Sequence, residues 1–191
     1  MANHVYQDIE IEGNQAVQDA WESIVNAVKE EHKEGEKFVE HYPEYFVEHL
    51  GMPEHFLEKS YDWYIDNVGA KWAHMEDLEP DYIRMCSAWR PCFEFCDHIA
   101  RHLGTIDPDV KVINRYEDEF FNFVGTSVHE KDTWDFDEME WDEIKKERLN
   151  ILNMTTEQYE DEDYEDEELY EYVSDLKERF YNFLTSNHED E

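Results

Sequence analysis

The chain has 191 residues and carries 51 acids against 16 lysines and arginines, which gives a formal net charge of −35 at pH 7. Aromatic residues make up 15% of the sequence, enough to fill a core, so the composition excludes a chain that is disordered throughout. A surface this negative repels DNA, RNA and anionic lipid headgroups and attracts basic proteins and cations, so we expect no nucleic acid and no membrane among its partners.

The predicted elements begin with a strand and a helix. Residues 5–11 alternate apolar and polar side chains, which is the period of a half-buried strand, and Gly13 ends this pattern. Asn14 is a suitable helix N-cap, and apolar residues then recur at steps of three and four, as they do on one face of a helix. That face comprises Val17, Ala20, Trp21, Ile24 and Val28.

A helical insertion is predicted over about residues 36–66. Its pattern is interrupted at Pro43 and at residues 51–53, so we expect several short pieces instead of one continuous helix. Four apolar side chains would pack the insertion on the core: Phe46, Leu50, Phe56 and Trp63.

An antiparallel pair of strands follows the insertion. Residues 68–78 and 82–89 have strand-like patterns, and residues 79–81 predict the turn between them. One face of the second strand carries Ile83, Met85 and Trp89, and the other carries Tyr82, Cys86 and Ala88.

A second helix and two more strands complete the predicted sheet. Pro91 suits the first turn of a helix, and Gly104 closes it. Its apolar stripe is Cys92, Cys96, Ile99 and Leu103. Residues 110–116 and 120–128 then predict two strands. The order strand, helix, strand, strand, helix, strand, strand predicts an α+β fold on the ferredoxin-like split βαβ plan, an antiparallel sheet with its helices on one face.

Four stretches of the chain carry a resemblance to a known family: "MANHVYQDIEIEG", "YDWYIDNVGAKW", "SAWRPCFEF" and "RYEDEFFNFVGT". In this order they are similar to the YubB-like ferredoxin-like domain family of plasmids and bacteriophages, over residues 1–129. Val68 and Ala70 depart from that pattern, since the family tends to have Trp and Thr there. The resemblance implies a ferredoxin-like fold and a mobile-element origin in a bacterial host, but it implies no reaction.

We expect two parts in the chain, a ferredoxin-like domain over residues 1–130 and an acidic helical extension over residues 131–191 that packs on it. Residues 137–152 have a helical pattern, with Met139, Ile144 and either Leu149 or Ile151 as docking residues. A last helix is predicted from Leu169 onward by a stripe of apolar residues. The stripe is Leu169, Val173, Leu176, Phe180 and Leu184.

The extension contains a run of eight carboxylates in nine residues. The run is Glu160, Asp161, Glu162, Asp163, Tyr164, Glu165, Asp166, Glu167 and Glu168. One interpretation is a solvated segment, because like charges at i,i+4 destabilise a helix, and another is adaptation to a salty environment. The functional hypothesis is that residues 132–171, with eighteen acids, present a phosphate-like surface to a basic protein.

Two short patterns in the sequence resemble the spacing of metal ligands. Glu94, His98 and His102 fall at i, i+4 and i+8 of the second predicted helix, a spacing that can hold zinc, although exposed histidines on an amphipathic helix have the same spacing. Asp135 and Asp137 alternate as in a calcium loop, but no glycine follows them. We therefore expect no dedicated metal and no cofactor.

The compartment is indicated by the cysteines and the first residues. Cys86, Cys92 and Cys96 are odd in number and close together, as expected of reduced thiols. Residues 1–20 lack the order of a secretion signal, and no apolar run reaches the roughly 18 residues of a membrane helix. We expect a soluble protein of the bacterial cytoplasm.

The sequence as a whole favours a non-enzymatic interaction protein that binds a basic host or phage protein by charge mimicry. No catalytic glycine motif is present, and six glycines leave little material for one. The alternative is a small-molecule-binding or metal-dependent enzyme domain with a pocket between the sheet and the inserted helices. That pocket would lie near Trp63, Trp72 and Trp89, although the simpler expectation places all three tryptophans in the core.

Overall fold

A computed structural model describes residues 3–31, 41–55, 60–152, 155 and 166–186. This part of the chain has an α+β architecture, with one six-stranded antiparallel sheet and six helices. The strands are β1 (His4–Glu12), β2 (Lys71–Leu78), β3 (Tyr82–Ala88), β4 (Lys111–Asp118), β5 (Phe123–His129) and β6 (Trp134–Glu140). The helices are α1 (Gln15–Glu31), α2 (Val47–Leu50), α3 (Ser60–Asn67), α4 (Phe93–Leu103), α5 (Trp141–Leu152) and α6 (Asp166–Ser186), and a 3₁₀ turn (Pro43–Phe46) precedes α2.

The strand order in the sheet is β2-β3-β1-β4-β5-β6, and every neighbouring pair is antiparallel. β1 therefore lies between β3 and β4. Ile9 stands opposite Ile83 on one side and Asn114 on the other. β2 and β6 form the two edges of the sheet.

The front face of the sheet, which carries Ile9, is covered by α1 and α4. One apolar cluster joins Ile9 to Trp21 of α1 and to Phe95 of α4. The predicted start of α1 is confirmed, because the Asn14 side-chain oxygen accepts hydrogen bonds from two backbone N–H groups of the first turn, at 2.9 and 3.2 Å. The apolar period of α1 thus places its buried stripe on the sheet.

The insertion packs on the same front face. Phe46 is fully buried, and its ring stacks on Trp21 at 5.8 Å between centroids and meets Phe95 edge-on at 5.5 Å. Leu50 and Trp63 are buried too, as predicted. Phe56 lies outside the described residues.

The back face of β4, β5 and β6 is covered by the last helix. Four residues of the predicted stripe of α6 are buried: Val173, Leu176, Phe180 and Leu184. They pack on the sheet and on Ile144 of α5, and the Thr126 hydroxyl of β5 donates to the Lys177 carbonyl of α6 at 2.9 Å. The back face of β3 and β1, in contrast, keeps Tyr6 and Arg84 exposed to solvent.

Part of the predicted C-terminal helix is a strand, so that prediction is wrong for residues 137–140. Residues 134–140 pair with β5 along their whole length, and α5 begins only at Trp141, whose N–H donates to the Asn122 carbonyl at 2.9 Å. A helix would place its like charges on neighbouring turns, whereas pairing with β5 satisfies the backbone and separates these charges onto two faces. Ile144 docks as predicted, but Ile151 is exposed.

The cysteine side chains and the helices agree with two expectations from the sequence. Cys86, Cys92 and Cys96 are all free and buried. Within the described ranges, no helix is both long enough and apolar enough to span a bilayer.

A buried glutamine links the centre of the sheet to α4. The Gln7 side-chain oxygen accepts from the Cys92 N–H at 2.7 Å and from the Asn114 amide at 3.0 Å, while its nitrogen donates to the Ser87 hydroxyl at 2.9 Å. One side chain of β1 therefore satisfies polar groups from β3, β4 and the start of α4. Removing the shared acceptor would be costly, because each buried donor would lose its partner.

Replacing Gln7 by Leu should lower the free energy of unfolding by about 2–4 kcal/mol, because the buried Cys92 N–H and Asn114 amide would lose their acceptor. Urea unfolding followed by tryptophan fluorescence measures this loss. Gln15→Leu, at an exposed position of α1, is the matched control and should change stability by less than about 0.5 kcal/mol. Equal effects of the two substitutions would contradict the role of the network.

Candidate functional site

The acidic run from Glu160 to Glu168 lies mostly outside the described residues. This holds for residues 160–165 and for the side chains of Asp166 and Glu167. Glu168 is exposed near the start of α6, and its carbonyl accepts from Arg148 at 3.1 Å. Partner binding by the run therefore stays a prediction.

Within the predicted acidic surface, residues 132–171, the structure describes residues 132–152, 155 and 166–171, and the edge strand β6 is its first element. We call residues 132–143 the acidic edge, since seven of these twelve residues are acids and none is basic. The hydrogen-bonded ladder of β6 is formed with β5 alone among the described strands. On the outer side of β6, the Phe136 and Glu138 N–H groups donate to the Oδ1 atoms of Asp135 and Asp137, at 2.8 and 3.1 Å, so an added strand would replace these local hydrogen bonds.

Two large aromatic side chains of the acidic edge are exposed. Trp134 is 41% exposed and Phe136 is 46% exposed, on the front face of β6. Phe93 at the start of α4 holds them in place, with ring centroids 5.1 Å from Trp134 and 5.7 Å from Phe136. Trp134 also stacks on His129 at 5.3 Å. We call Phe93, His129, Trp134 and Phe136 the aromatic patch.

Charge and aromatic surface alternate along β6 because of the strand period. Trp134 and Phe136 stand opposite His129 and Ser127 on the front face, whereas Asp135 and Asp137 stand on the back face. Glu138, farther along the front face, lies beside Tyr116, and burial is the main cause that raises its pKa. The front face of the edge therefore presents two aromatic rings beside two glutamates, and the back face presents the exposed Asp135 and the half-buried Asp137.

The predicted Glu94, His98 and His102 stripe lies on α4 but does not form a ligand group. Glu94 pairs with Arg90 at 3.8 Å and lies against Gly69, where a Cβ atom would collide with its carboxylate. Burial lowers the pKa of His98 and of His102. In the described part of the chain, the group of His, Cys or acidic side chains whose ligand atoms converge is a different one, His74, Glu76 and Cys86.

A cleft of about 520 Å³ opens between the insertion and the edge strand β2. Four aromatic residues line it, together with an acid and an imidazole: Tyr42, Tyr61, Tyr64, Trp72, Glu44 and His74. The Tyr64 hydroxyl donates to the Glu44 carboxylate, and burial followed by this bond raises the pKa of Tyr64. Its phenol is therefore neutral and fixed at the wall of the cleft.

Two exposed tryptophans stand at the rim of this cleft, contrary to the expectation that they belong to the core. Trp72 is 68% exposed and Trp89 is 46% exposed, with ring centroids 5.2 Å apart. Both have positive φ angles, 48° and 67°, which strain a bulky residue. Lys71 lies between Trp89 and Tyr61, with its Nζ atom 5.1 and 4.4 Å from the two ring centroids. Trp63, in contrast, is buried as expected.

The sequence did not predict the exposure of Trp89, because strand alternation alone places this residue on the same face as Ile83 and Met85. β3 ends at Ala88, and the backbone turns into a left-handed conformation at the next residue, which takes the ring out of the strand's period. The ladder of β2 is likewise shifted between Lys71 and His74, around Trp72. Neither irregularity has a signal in the sequence such as a glycine at the strained position.

His129 of the aromatic patch forms a buried pair with Ser127. The Ser127 hydroxyl and His129 Nε2 are 2.9 Å apart, and both residues are fully buried. Burial lowers the pKa of His129 to about 3. The imidazole is therefore neutral, and the pair lacks the solvent access that a nucleophile and its base need.

Comparisons of the chain with protein-family models, with curated proteins and with solved structures found no match. The resemblance of residues 1–129 to YubB-like domains stays a prediction.

His129 should make stability fall on acidification. In the unfolded chain the imidazole has its ordinary pKa of about 6.5, whereas in the folded chain burial lowers this pKa to about 3. Each pH unit of acidification between these values therefore lowers the free energy of unfolding by up to about 1.4 kcal/mol. Between pH 7 and 5, the His129→Gln variant should lose about 2 kcal/mol less stability than the parent chain. Urea midpoints across this range measure the difference. Ser127→Ala retains the imidazole and should retain the parent slope, and identical slopes for the His129→Gln variant and the parent would contradict the assignment.

Proposed function

We propose that this protein is a non-enzymatic interaction protein that binds a basic segment of a host or phage protein at its acidic edge. The observation that carries the proposal is the exposure of Trp134 and Phe136 on an edge strand within seven acids and no base. Interfaces favour aromatic anchors, and complementary charge selects the partner and speeds association.

The mode of binding is the addition of a strand to β6. An extended segment would pair with the outer side of β6 in place of the local hydrogen bonds from the Phe136 and Glu138 N–H groups, and its alternate side chains would meet the two faces of the edge. Lysines or arginines on one side would face Asp135 and Asp137, while apolar side chains on the other would cover Trp134 and Phe136. The partner expected here is therefore a basic segment with alternating apolar residues.

The same acids protect the edge against a wrong partner. Two copies of β6 placed side by side would bring like charges together, which disfavours edge-to-edge pairing between copies of this chain. Protection alone does not account for two exposed aromatic rings, since exposed apolar surface at an edge favours association. The acids repel a second copy of the chain, and the rings can bind an apolar surface. This combination favours a partner that is basic and carries apolar side chains.

The predicted acidic run extends this surface in the proposal. Glu160 to Glu168 would add a second block of carboxylates near the start of α6, and the two blocks together would imitate the phosphates of a nucleic acid. A nucleic-acid-binding protein is then the expected partner, and DNA is the expected competitor.

The proposal also includes the finer fold and the origin of the chain. The order β2-β3-β1-β4 with antiparallel pairs, and α1 and α4 in one cluster with the front face, supports a ferredoxin-like unit. We infer that the residues after 130 extend this unit by β6, α5 and α6. The mobile-element origin rests on the sequence resemblance.

Substitutions on β6 test the proposed interface. Immobilised protein should retain a basic partner from bacterial lysate at low salt and release it with salt or with competing DNA. Combined Asp135→Asn and Asp137→Asn substitutions should weaken binding of that partner about tenfold, and combined Trp134→Ala and Phe136→Ala substitutions at least as much. Titration of the purified partner measures both losses.

The matched controls remove the same number of charges or aromatic rings at exposed positions away from the acidic edge. Glu22→Gln with Asp81→Asn removes the same charge from exposed positions, and Phe120→Ala with Phe183→Ala removes two exposed rings. Both should leave affinity within about twofold of the parent. Retention of no basic protein, or equal losses in edge and control variants, would refute the proposal.

The second candidate function is small-molecule binding in the cleft, as a binding or enzyme domain. The strained, exposed pair of Trp72 and Trp89 beside a 520 Å³ concavity favours it, because strain of this kind concentrates at functional sites. Aromatic walls with Lys71, Glu44 and His74 fit a flat ring that bears polar substituents.

A library of ring-containing fragments, observed by NMR, tests the cleft. Bound fragments should shift the indole N–H signals of Trp72 and Trp89, and Trp72→Ala should weaken binding at least about tenfold, since it removes one stacking wall. Tyr170→Ala, an exposed ring on α6, is the control and should have no effect. Fragments that bind the Trp72→Ala variant as well as the parent would exclude this ligand site.

A further inference from the structure

We infer that His74, Glu76 and Cys86 form a binding site for a divalent transition metal, with zinc as the ion that fits best. The imidazole nitrogen, the carboxylate oxygen and the thiol sulfur all lie within 4.8 Å of one another. This inference is independent of the proposed binding at β6, which lies at the opposite edge of the sheet.

The fold places these three side chains together by strand pairing. His74 of β2 stands directly opposite Cys86 of β3 in the antiparallel ladder. Glu76 follows His74 by two residues, and its carboxylate oxygen lies within 4.8 Å of the ligand atoms of His74 and Cys86. A shift of register between Met75 and Asp77 marks a bulge at Glu76 itself. The ligands therefore project from two hydrogen-bonded strands, a more rigid support than a loop.

The three side chains are available to a metal. Across the described part of the chain, none of them makes a hydrogen bond or an ion pair with another described residue. Glu76 is exposed and His74 is half-buried, so solvent reaches one side of the group, while Cys86 is buried at its base. Three protein ligands with an open side match a zinc ion that retains a water molecule.

Cys86 has a more polar environment than the other two thiols. Cys92 and Cys96 belong to the main apolar cluster, where a thiol acts as a small apolar side chain, and Cys86 does not. Cys86 instead lies near Glu76 and Glu119, and burial followed by these two acids raises its pKa to about 11. A bound cation reverses this effect, since a coordinated thiol loses its proton.

The ligand types decide the class of metal. Calcium and magnesium take oxygen ligands, so a thiol and an imidazole exclude them as the preferred ions. Nitrogen, sulfur and oxygen ligands in a group of three suit zinc, and cobalt(II) is its spectroscopic substitute. The proposed site is distinct from the Glu94, His98 and His102 stripe on α4.

Titration of the reduced protein with cobalt(II) tests the site. A large excess of Mg²⁺ in the buffer occupies the many surface carboxylates, so the remaining binding reports nitrogen and sulfur ligands. We expect one cobalt per chain, with the thiolate-to-metal charge-transfer absorption and the intense visible bands of a four-coordinate ion. One equivalent of zinc should abolish these bands.

Substitutions assign the ligands. Cys86→Ser should abolish the charge-transfer absorption, and His74→Asn should weaken zinc affinity at least about 100-fold, beyond the effect of losing an outer-shell group. Cys96→Ala and His98→Asn are the matched controls for thiol and imidazole, and both should retain the parent spectrum and affinity. Circular dichroism verifies that each variant is folded, and Cys86→Ala replaces Cys86→Ser if that variant does not fold.

Three outcomes would overturn the inference. These are no saturable cobalt binding in excess Mg²⁺, a charge-transfer band that persists without Cys86, and equal loss of affinity in His74→Asn and His98→Asn. The last result would place the metal on α4 or on the acidic surface in general.

Discussion

The pairing of β1 with β3 on one side and β4 on the other is the interaction on which the rest of the structure depends. The nine residues of β1 meet strands that lie about 70 to 115 residues away in the chain, as the pairs Ile9 to Ile83 and Val5 to Asp118 show. Gln7 adds a polar link from the same strand to α4. Contacts this distant carry a large loop-closure cost, so the buried front face must offset it.

The excess of carboxylates is compatible with this fold because the few cations are placed between strands and helices. Arg115 of β4 contacts both Glu10 of β1, at 2.8 Å, and Glu178 of α6, at 3.2 Å. Each exposed pair contributes little to stability, but such pairs reduce repulsion within the folded body. Acids without a neighbouring base concentrate in the acidic edge, and the proposed binding of a basic partner depends on this distribution.

The two edges of the sheet differ in what protects them, and each edge carries a candidate site. The insertion covers β2, since the Met75 N–H donates to the His41 carbonyl at 2.8 Å. This cover forms the cleft and leaves the proposed metal ligands on the back face. Among the described strands, β6 pairs only with β5, and its outer side carries acidic side chains. Covering and charging are two general ways to prevent edge-to-edge aggregation. Here the cover forms the cleft at one edge, and the charge belongs to the proposed interaction surface at the other.

The sequence by itself determined the elements whose patterns are local: the alternation of β1, the Asn14 cap of α1, the stripe of α6 and the negative surface. Only the tertiary structure decided that residues 134–140 form a strand, because pairing with β5 prevailed over a pattern that fits a helix as well. It also decided the exposure of Trp72 and Trp89, which depends on backbone irregularities at strand ends. The group of His74, Glu76 and Cys86 arises from the register between two strands, and register is a non-local property that residue spacing within one strand does not encode.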